Sequence, residues 1–555
     1  MPRLGAWAKF SGFMKCLRAK ERKYKMKRNA GILLAVFSLP SKYGIGCFDK
    51  NAYDFVDWLE KAGQKYWQIL PLGVTSHGGA YDSPYQACSA FAGNPYFISI
   101  DELKKEGVLT AAECKAVQVE SGEKVDYEWL NQTRMPLLRK AYERSNIASD
   151  PDFVEFCREN SWWLEDYALY MAIRAYFNEQ SRTQWPEDIR KHYRPALDYY
   201  REKLYFEVEF HKYLQYKFAR QWFALKAYAN EKHIKIVGDI PIYVSFDGAD
   251  VWANPELFEL DEENVPARIA GCPPDGFNED GQVWGNPLYR WDYHAKTGYQ
   301  WWITRMWYSY KLYDVVRIDH FRGFDEYFAI PADTGLAREG TWEKGPGIAL
   351  FNALKANLGE KGVIAEDLGF MTESVRQLVK DSGYPNMKVL QFGFDADDVG
   401  GASEYAPHNF DSNCFMYPGT HDNETIHGWF MGLPKKQKKL IREYLTDPYT
   451  PDEQMYKKLI DLSMMCVAKT CIIPMQDWLG LGNDARMNTP GTVEDNWTWR
   501  LLPGVLTAKL GKEILTITKR FGRANWDALN HLEKERKSAK VAKNEKSEAM
   551  AVDFV

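Results

Sequence analysis

The chain has 555 residues, 45% hydrophobic and 26% charged, proportions ordinary for a globular protein with a large core. A formal net charge of −5 and a pI near 6.1 argue against a nucleic-acid or anionic-membrane partner. The sequence has no zinc spacing, Gly-rich phosphate loop or apolar run of about 18 residues, so it predicts no metal, no cofactor and no membrane span.

Residues 1–28 carry ten Lys/Arg and one Glu, and Lys9 breaks the apolar portion. No clean hydrophobic region or cleavage site follows, which favours a basic extension, disordered or not native, over a signal peptide. Nine cysteines without a CxxC pair or regular spacing predict free thiols and a cytoplasmic protein. A series of short apolar runs then begins, each ending in polar residues or glycine. Ile32–Phe37 precedes Ser38-Leu39-Pro40, and the helical pattern Ala52–Ala62 leads to Tyr66–Leu70. After Ile234–Val237 come Val315–Ile318, Val363–Ala365, Val389–Phe392, Cys414–Tyr417 and Cys471–Pro474.

Eight strand candidates, most separated by helical patterns, predict an α/β protein, a (β/α)8 TIM barrel. Barrel segments are expected at 29–96, 231–246 and 303–534. The gap at 97–230 is mainly helical in pattern, with aromatic-rich amphipathic stretches at Trp162–Phe177 and Phe206–Ala229. The gap at 247–302 is rich in Pro, Gly and Trp and reads as a loop-rich insertion over the catalytic face. Residues 535–555 read as a charged, frayed tail.

Three of the runs deliver carboxylates. Val315–Ile318 is followed by Asp319, Val363–Ala365 by Glu366-Asp367, and Cys414–Tyr417 by Thr420-His421-Asp422. Ends of parallel barrel strands converge on one mouth, where barrel enzymes place their chemistry. Arg317 and Asp319 stand two apart, so in a strand they share a face, and a cation that close is expected to keep the carboxylate ionised. A self-satisfied buried Arg–Asp pair is the plainer alternative, and three converging carboxylates weigh against it.

The blocks Arg317-Ile318-Asp319-His320-Phe321-Arg322-Gly323, Ala365-Glu366-Asp367-Leu368-Gly369 and Gly419-Thr420-His421-Asp422-Asn423 resemble the signatures of the amylomaltases. These are the 4-alpha-glucanotransferases, or disproportionating enzymes, distant relatives of the α-amylases. The likeness runs from about Gly31 to Leu502. It includes Asp82-Ser83-Pro84-Tyr85-Gln86, Gly238-Asp239-Ile240-Pro241, Gly281-Gln282-Val283-Trp284-Gly285-Asn286-Pro287 and Ala485-Arg486-Met487-Asn488-Thr489-Pro490. The resemblance implies transfer of α-1,4-glucan segments between maltooligosaccharides by a retaining double displacement, with release of glucose. It implies Asp319 as nucleophile, Glu366 as general acid/base and Asp422 as the carboxylate that supports the transition state. Two neighbouring anions would raise the Glu366 pKa toward the protonated form that a general acid needs.

The resemblance also implies sugar contacts from Ser83, Tyr85, Asp275, Trp284, Arg317, Asp395, His421 and Asn488. Tyr85 would stack on the donor sugar and Trp284, on an exposed loop, on the acceptor; loop packing is the plainer role for each. Asp239 is as readily a supporting residue, and His320 and His408 read as structural histidines. Gly276 departs from the family, which usually has an aromatic there, and so bears on acceptor affinity. Three rivals stand beside the transferase: a hydrolase of the same bonds, a non-catalytic glycan-binding barrel and a metal-dependent barrel hydrolase. The intact carboxylates oppose the second. For the third, only His320 and His421 lie next to strand ends.

Overall fold

Short apolar segments flanked by glycine and polar residues form twelve strands among the described residues. They are β1 (Asn29–Leu33), β2 (Tyr66–Gln68), β3 (Lys235–Ile240), β4 (Arg268–Cys272), β5 (Gln282–Pro287) and β6 (Val315–Ile318). Then follow β7 (Glu326–Pro331), β8 (Thr341–Lys344), β9 (Val363–Ala365), β10 (Asn386–Val389), β11 (Cys414–Tyr417) and β12 (Thr470–Pro474). The computed structural model describes residues 28–75, 82–119, 122–274, 280–369, 371–394 and 403–552, with side chains up to 541. Asp275, Gly276, Asp395 and residues 1–27 therefore lie outside the described residues.

Eight strands pair in parallel and close into a barrel in the order β1-β12-β11-β10-β9-β6-β3-β2. Its interior is one cluster to which every strand contributes, including Leu33, Tyr66, Val237, Val315, Ile364 and Met387. Strand side chains alternate with period two. With Val237, Val315 and Ile364 inside, Asp239, Arg317 and Asp319, and Glu366 follow on the same side, toward the C-terminal mouth. The interior is tight: a Cβ on Gly31 would lie 2.5 Å from Ile472 Cδ1 and 2.6 Å from Tyr66 Cβ.

Helices cover the outside. Lys50–Lys61 starts at Asp49, whose side chain accepts from the Asn51 amide, and buries Phe55, Val56 and Leu59. The insertion after β2 is helical as expected and is built on Pro151–Tyr176 packed along Tyr205–Glu231. The second of these runs on to the barrel wall, where Trp222 is buried and donates to Leu312 O at 3.2 Å.

Several boundaries differ from the sequence expectation. β1 starts three residues before Ile32 and ends at Leu33, because Asn29 and Gly31 interrupt the apolar run while Val36–Ser38 coils into a 3-10 turn. β10 ends at Val389, where Val389–Phe392 was expected to be the strand. Its Lys388 points outward to Glu404 at 2.8 Å and disguises the strand as polar. The 247–302 segment is more than loop: β4 and β5 form a hairpin there. The stretch after β6 adds β7 and β8, giving an antiparallel sheet in the order β5-β4-β7-β8. Its short strands contain Gly, Asn and Pro and show no clean alternation, which hides them from a periodicity test.

The termini also differ. Arg28 belongs to the fold, donating to the carbonyls of Phe521 (3.0 Å) and Met464 (3.1 Å). The charged tail is helical, continuing Trp526–Val552 without a break, as its Ala, Glu and Lys content favours. No helix among the described residues is long and apolar enough to cross a membrane, and the eight described cysteines are free thiols.

Candidate active site

The mouth of the barrel gathers the three carboxylates through backbone ties between neighbouring strand ends. Asp319 N donates to Ile240 O at 2.9 Å, and Glu366 N to Ile318 O at 3.1 Å. The chain turns sharply at His320, which adopts a left-handed conformation with φ 52°. That turn aims the His320 amide at Glu366 Oε2 (2.7 Å), while the Leu368 amide holds Oε1 at 2.7 Å. Asp422 is gripped from the opposite side: Asn488 Nδ2 donates to Oδ1 at 2.6 Å, and His421 Nε2 lies 3.2 Å from Oδ2.

A polar network sits beneath them. Asp239 is fully buried and accepts two bonds from Arg317 Nη1, at 2.8 and 2.7 Å. The same guanidinium nitrogen lies 2.9 Å from Asp319 Oδ1. Tyr85 O–H donates to Asp239 Oδ2 at 3.0 Å, leaving its oxygen to accept from His421 Nε2, 2.9 Å away. That arrangement places the imidazole proton on Nε2. Burial pushes the His421 pKa down, so the ring is neutral near pH 7.

Electrostatics correct two expectations. Arg317 was expected to depress the Asp319 carboxyl, yet its charge is divided between Asp239 and Asp319. Burial pushes Asp319 well above the ordinary carboxylate range; Arg317 opposes this, while Glu366, Asp239 and Asp422 add to it. Glu366 is pushed up too, and burial rather than neighbouring anions is the largest cause. Arg317 and the amides of Leu368 and His320 oppose that shift. Two carboxyls so close titrate as one unit.

Other predicted residues fall around this centre. Ser83 Oγ accepts from the Tyr85 amide at 3.2 Å, holding the loop that carries the phenol. Trp284 stands on β5 rather than on a loop, half-buried, its ring 4.8 Å from the His320 ring at 87°. Burial drives the His320 imidazole pKa down to about 3, in keeping with a neutral structural ring. His408 pairs with the Tyr444 hydroxyl at 2.9 Å on the surface.

Sequence reasoning missed the roles of Gln86 and Asn286. Their amides exchange hydrogen bonds at 3.1 and 3.3 Å and tie the Tyr85 loop to β5. It also missed Trp497, whose ring lies 5.5 Å from Tyr85 and 5.9 Å from His421. Both amides sat inside quoted motifs, but a pairing across 200 residues leaves no local trace.

Comparison with known proteins bears on this geometry. The family model for 4-alpha-glucanotransferases matches residues 34–506. A 4-alpha-glucanotransferase from Clostridium butyricum is 45% identical over 491 residues, which is 88% of this chain and 99% of that protein. One from Streptococcus pneumoniae is 46% identical over 506 residues, or 90% of this chain and 98% of that protein. Among solved structures, the amylomaltase from Streptococcus agalactiae in complex with acarbose superposes with a TM-score of 0.85 at 41% identity. That match covers 90% of this chain and all of the other. With its closed eight-stranded parallel barrel and this match along most of its length, the chain belongs to the 4-alpha-glucanotransferase family.

Proposed function

We propose that this transferase moves α-1,4-glucan segments between maltooligosaccharides through a covalent glycosyl-enzyme on Asp319. The observation that carries the reading is the convergence of Asp319, Glu366 and Asp422 on one barrel mouth, with Arg317 bonded to Asp319 and not to the other two. Burial raises both carboxyls, and Asp319 is the one in direct contact with the Arg317 guanidinium, which favours placing the negative charge there for attack on the anomeric carbon. Glu366, whose pKa burial raises toward the protonated form, is the carboxyl assigned to give its proton to the leaving sugar oxygen. It then takes a proton from the acceptor hydroxyl that displaces Asp319, so anomeric configuration is retained.

Asp422, backed by Asn488 and His421, accepts bonds from ring hydroxyls that tighten as the sugar flattens toward an oxocarbenium-like state. Tyr85 offers its ring to the donor sugar and Trp284 to the acceptor; Asp275 and Asp395 are assigned further sugar contacts. The acarbose held by the related amylomaltase supports an α-glucan ligand. Free thiols support a cytoplasmic setting.

Incubation with maltotriose, with products resolved by length, tests the reading. A ladder of longer chains plus glucose is expected. Glucose and maltose alone would make the protein a hydrolase, and an unchanged substrate a binding protein.

A further inference from the structure

Trp497 is a bulky residue held in a backbone conformation that suits it poorly. It sits at φ 62°, in the left-handed region that large side chains avoid, and Asp495 two residues earlier sits at φ 60°. The conformation is enforced from both sides: its N–H donates to Met487 O at 2.8 Å, and its carbonyl accepts from Tyr127 O–H at 2.8 Å. Asn496 adds a third tie, accepting from the Thr489 amide at 2.9 Å. Strain held by so many contacts marks a place where a side chain is needed in one particular direction.

The direction is toward the active site. The ring is 8% exposed and meets Tyr85 at 42° and His421 at 44°. Those two rings are themselves nearly parallel, 14° apart with centroids 5.3 Å from each other. The same loop delivers Asn488 to Asp422 at 2.6 Å, so one strained segment carries both a support for the carboxylate and a backing for the aromatic pair. Asp239 fixes the hydroxyl end of Tyr85, while among the described residues the rings that meet its own ring are those of His421 and Trp497.

We propose that Trp497 is a positioning residue for glucan transfer, setting the angle of Tyr85 and His421 from behind while touching no sugar itself. This rests on the reading above that those two residues hold the donor sugar. A tilt of the Tyr85 face misplaces the ring that must flatten in the transition state, so turnover suffers more than ground-state affinity.

The test uses Trp497→Ala, Trp497→Gly and Trp497→Phe in the full chain, assayed on maltotriose beside the wild type. Glycine relieves the left-handed strain and alanine does not, so W497G should melt above W497A. A packing role predicts that activity follows that stability order. A positioning role predicts that both lose kcat by about tenfold or more with KM changed by about threefold or less, and that W497F recovers most of the rate. In a Tyr85→Ala background, W497G should cause little further loss, because the face it orients is gone. Should both truncations fail to fold, Trp497→Leu, which fills the space without a ring face, is read in the same way. A W497G (or W497L) enzyme within twofold of wild type, or losses fully additive with Y85A, would overturn the inference while leaving the transferase reading intact. A wild-type protein that leaves maltotriose unchanged would instead remove the reading beneath it.

Discussion

Asp319 and Asp477 both follow barrel strands at the mouth, the first partly exposed and the second 1% exposed, and they differ in their partners. Asp319 has Arg317 at 2.9 Å, and Asp319→Asn keeps its shape while removing the carboxylate proposed as nucleophile. We expect kcat on maltotriose to fall about 1000-fold or more with oligosaccharide binding, read by calorimetry, largely kept. Retention of more than a few per cent of the rate would move the nucleophile elsewhere. Asp477 accepts only from the Ile426 amide at 2.8 Å, and its Oδ2 has no partner among the described residues. Burial pushes its pKa up to about 7. The fold thus prefers the neutral form: stability is fully present below about pH 4 and is lost as pH rises toward 7. Asp477→Asn keeps the acceptor and cannot ionise, so its stability advantage over wild type should grow by roughly 1–3 kcal/mol between pH 5 and pH 8. Parallel melting profiles would contradict that. Asp319 could be picked out from sequence because it ends an apolar run. Asp477, Gln86 and Trp497 could not, since what they do depends on partners far along the chain.

At the scale of elements, the barrel was legible wherever a strand is buried on both faces and reads as a plain apolar run. Val315–Ile318, Val363–Ala365 and Cys414–Tyr417 match β6, β9 and β11 residue for residue. Where a strand also carries Asn29, Gly31 or Lys388, the pattern failed by about three residues. The β5-β4-β7-β8 sheet went unread because its strands come from two separate insertions and pair only in three dimensions. That sheet gives Trp284 a firmer seat than a loop would. Its Nε1 donates to Gln282 at 3.0 Å and its carbonyl accepts from Gln86 at 3.2 Å. A glycosyl-enzyme partitions between sugar and water according to how well the acceptor hydroxyl is aligned. Trp284→Ala should therefore raise the ratio of hydrolysis to transfer, by about threefold or more, and weaken the dependence on added glucose. Product ratios from maltotriose at matched conversion measure it. An unchanged ratio would reduce Trp284 to packing against His320 and Tyr243.

For the whole molecule, the segments around Arg28 and Arg523 meet beside the start of β1 and β12, at the N-terminal face of the barrel. Arg28 and Arg523 both donate to Met464 O, at 3.1 and 2.8 Å, next to β1 and β12. Among the described side chains, the helix Trp526–Val552 docks by its first turns. Asn525 Nδ2 donates to the carbonyls of Gln64 and His233, each at 2.9 Å, and Ala528 is fully buried. Beyond them, His531 Nδ1 lies 2.8 Å from Glu60, a carboxylate only 1% exposed, and Lys232 bridges to Glu535 at 2.9 Å. From 533 to 541 every side chain is exposed. Alanine substitutions from 536 to 541 should therefore leave the melting temperature within about 1 °C and the maltotriose activity unchanged. His531→Ala is a different matter. It leaves Glu60 buried without its nearest hydrogen-bond partner, with the Lys232 ammonium 3.7 Å away. A buried carboxylate robbed of its near partner costs about 1–3 kcal/mol, seen as a melting temperature lower by a few degrees. Adding Glu60→Gln should restore most of that loss, because a neutral amide costs less to bury than a carboxylate short of a partner. If the double variant melts no higher than His531→Ala alone, the histidine contributes packing rather than its hydrogen bond to Glu60, and the helix is held by Asn525 and its apolar face.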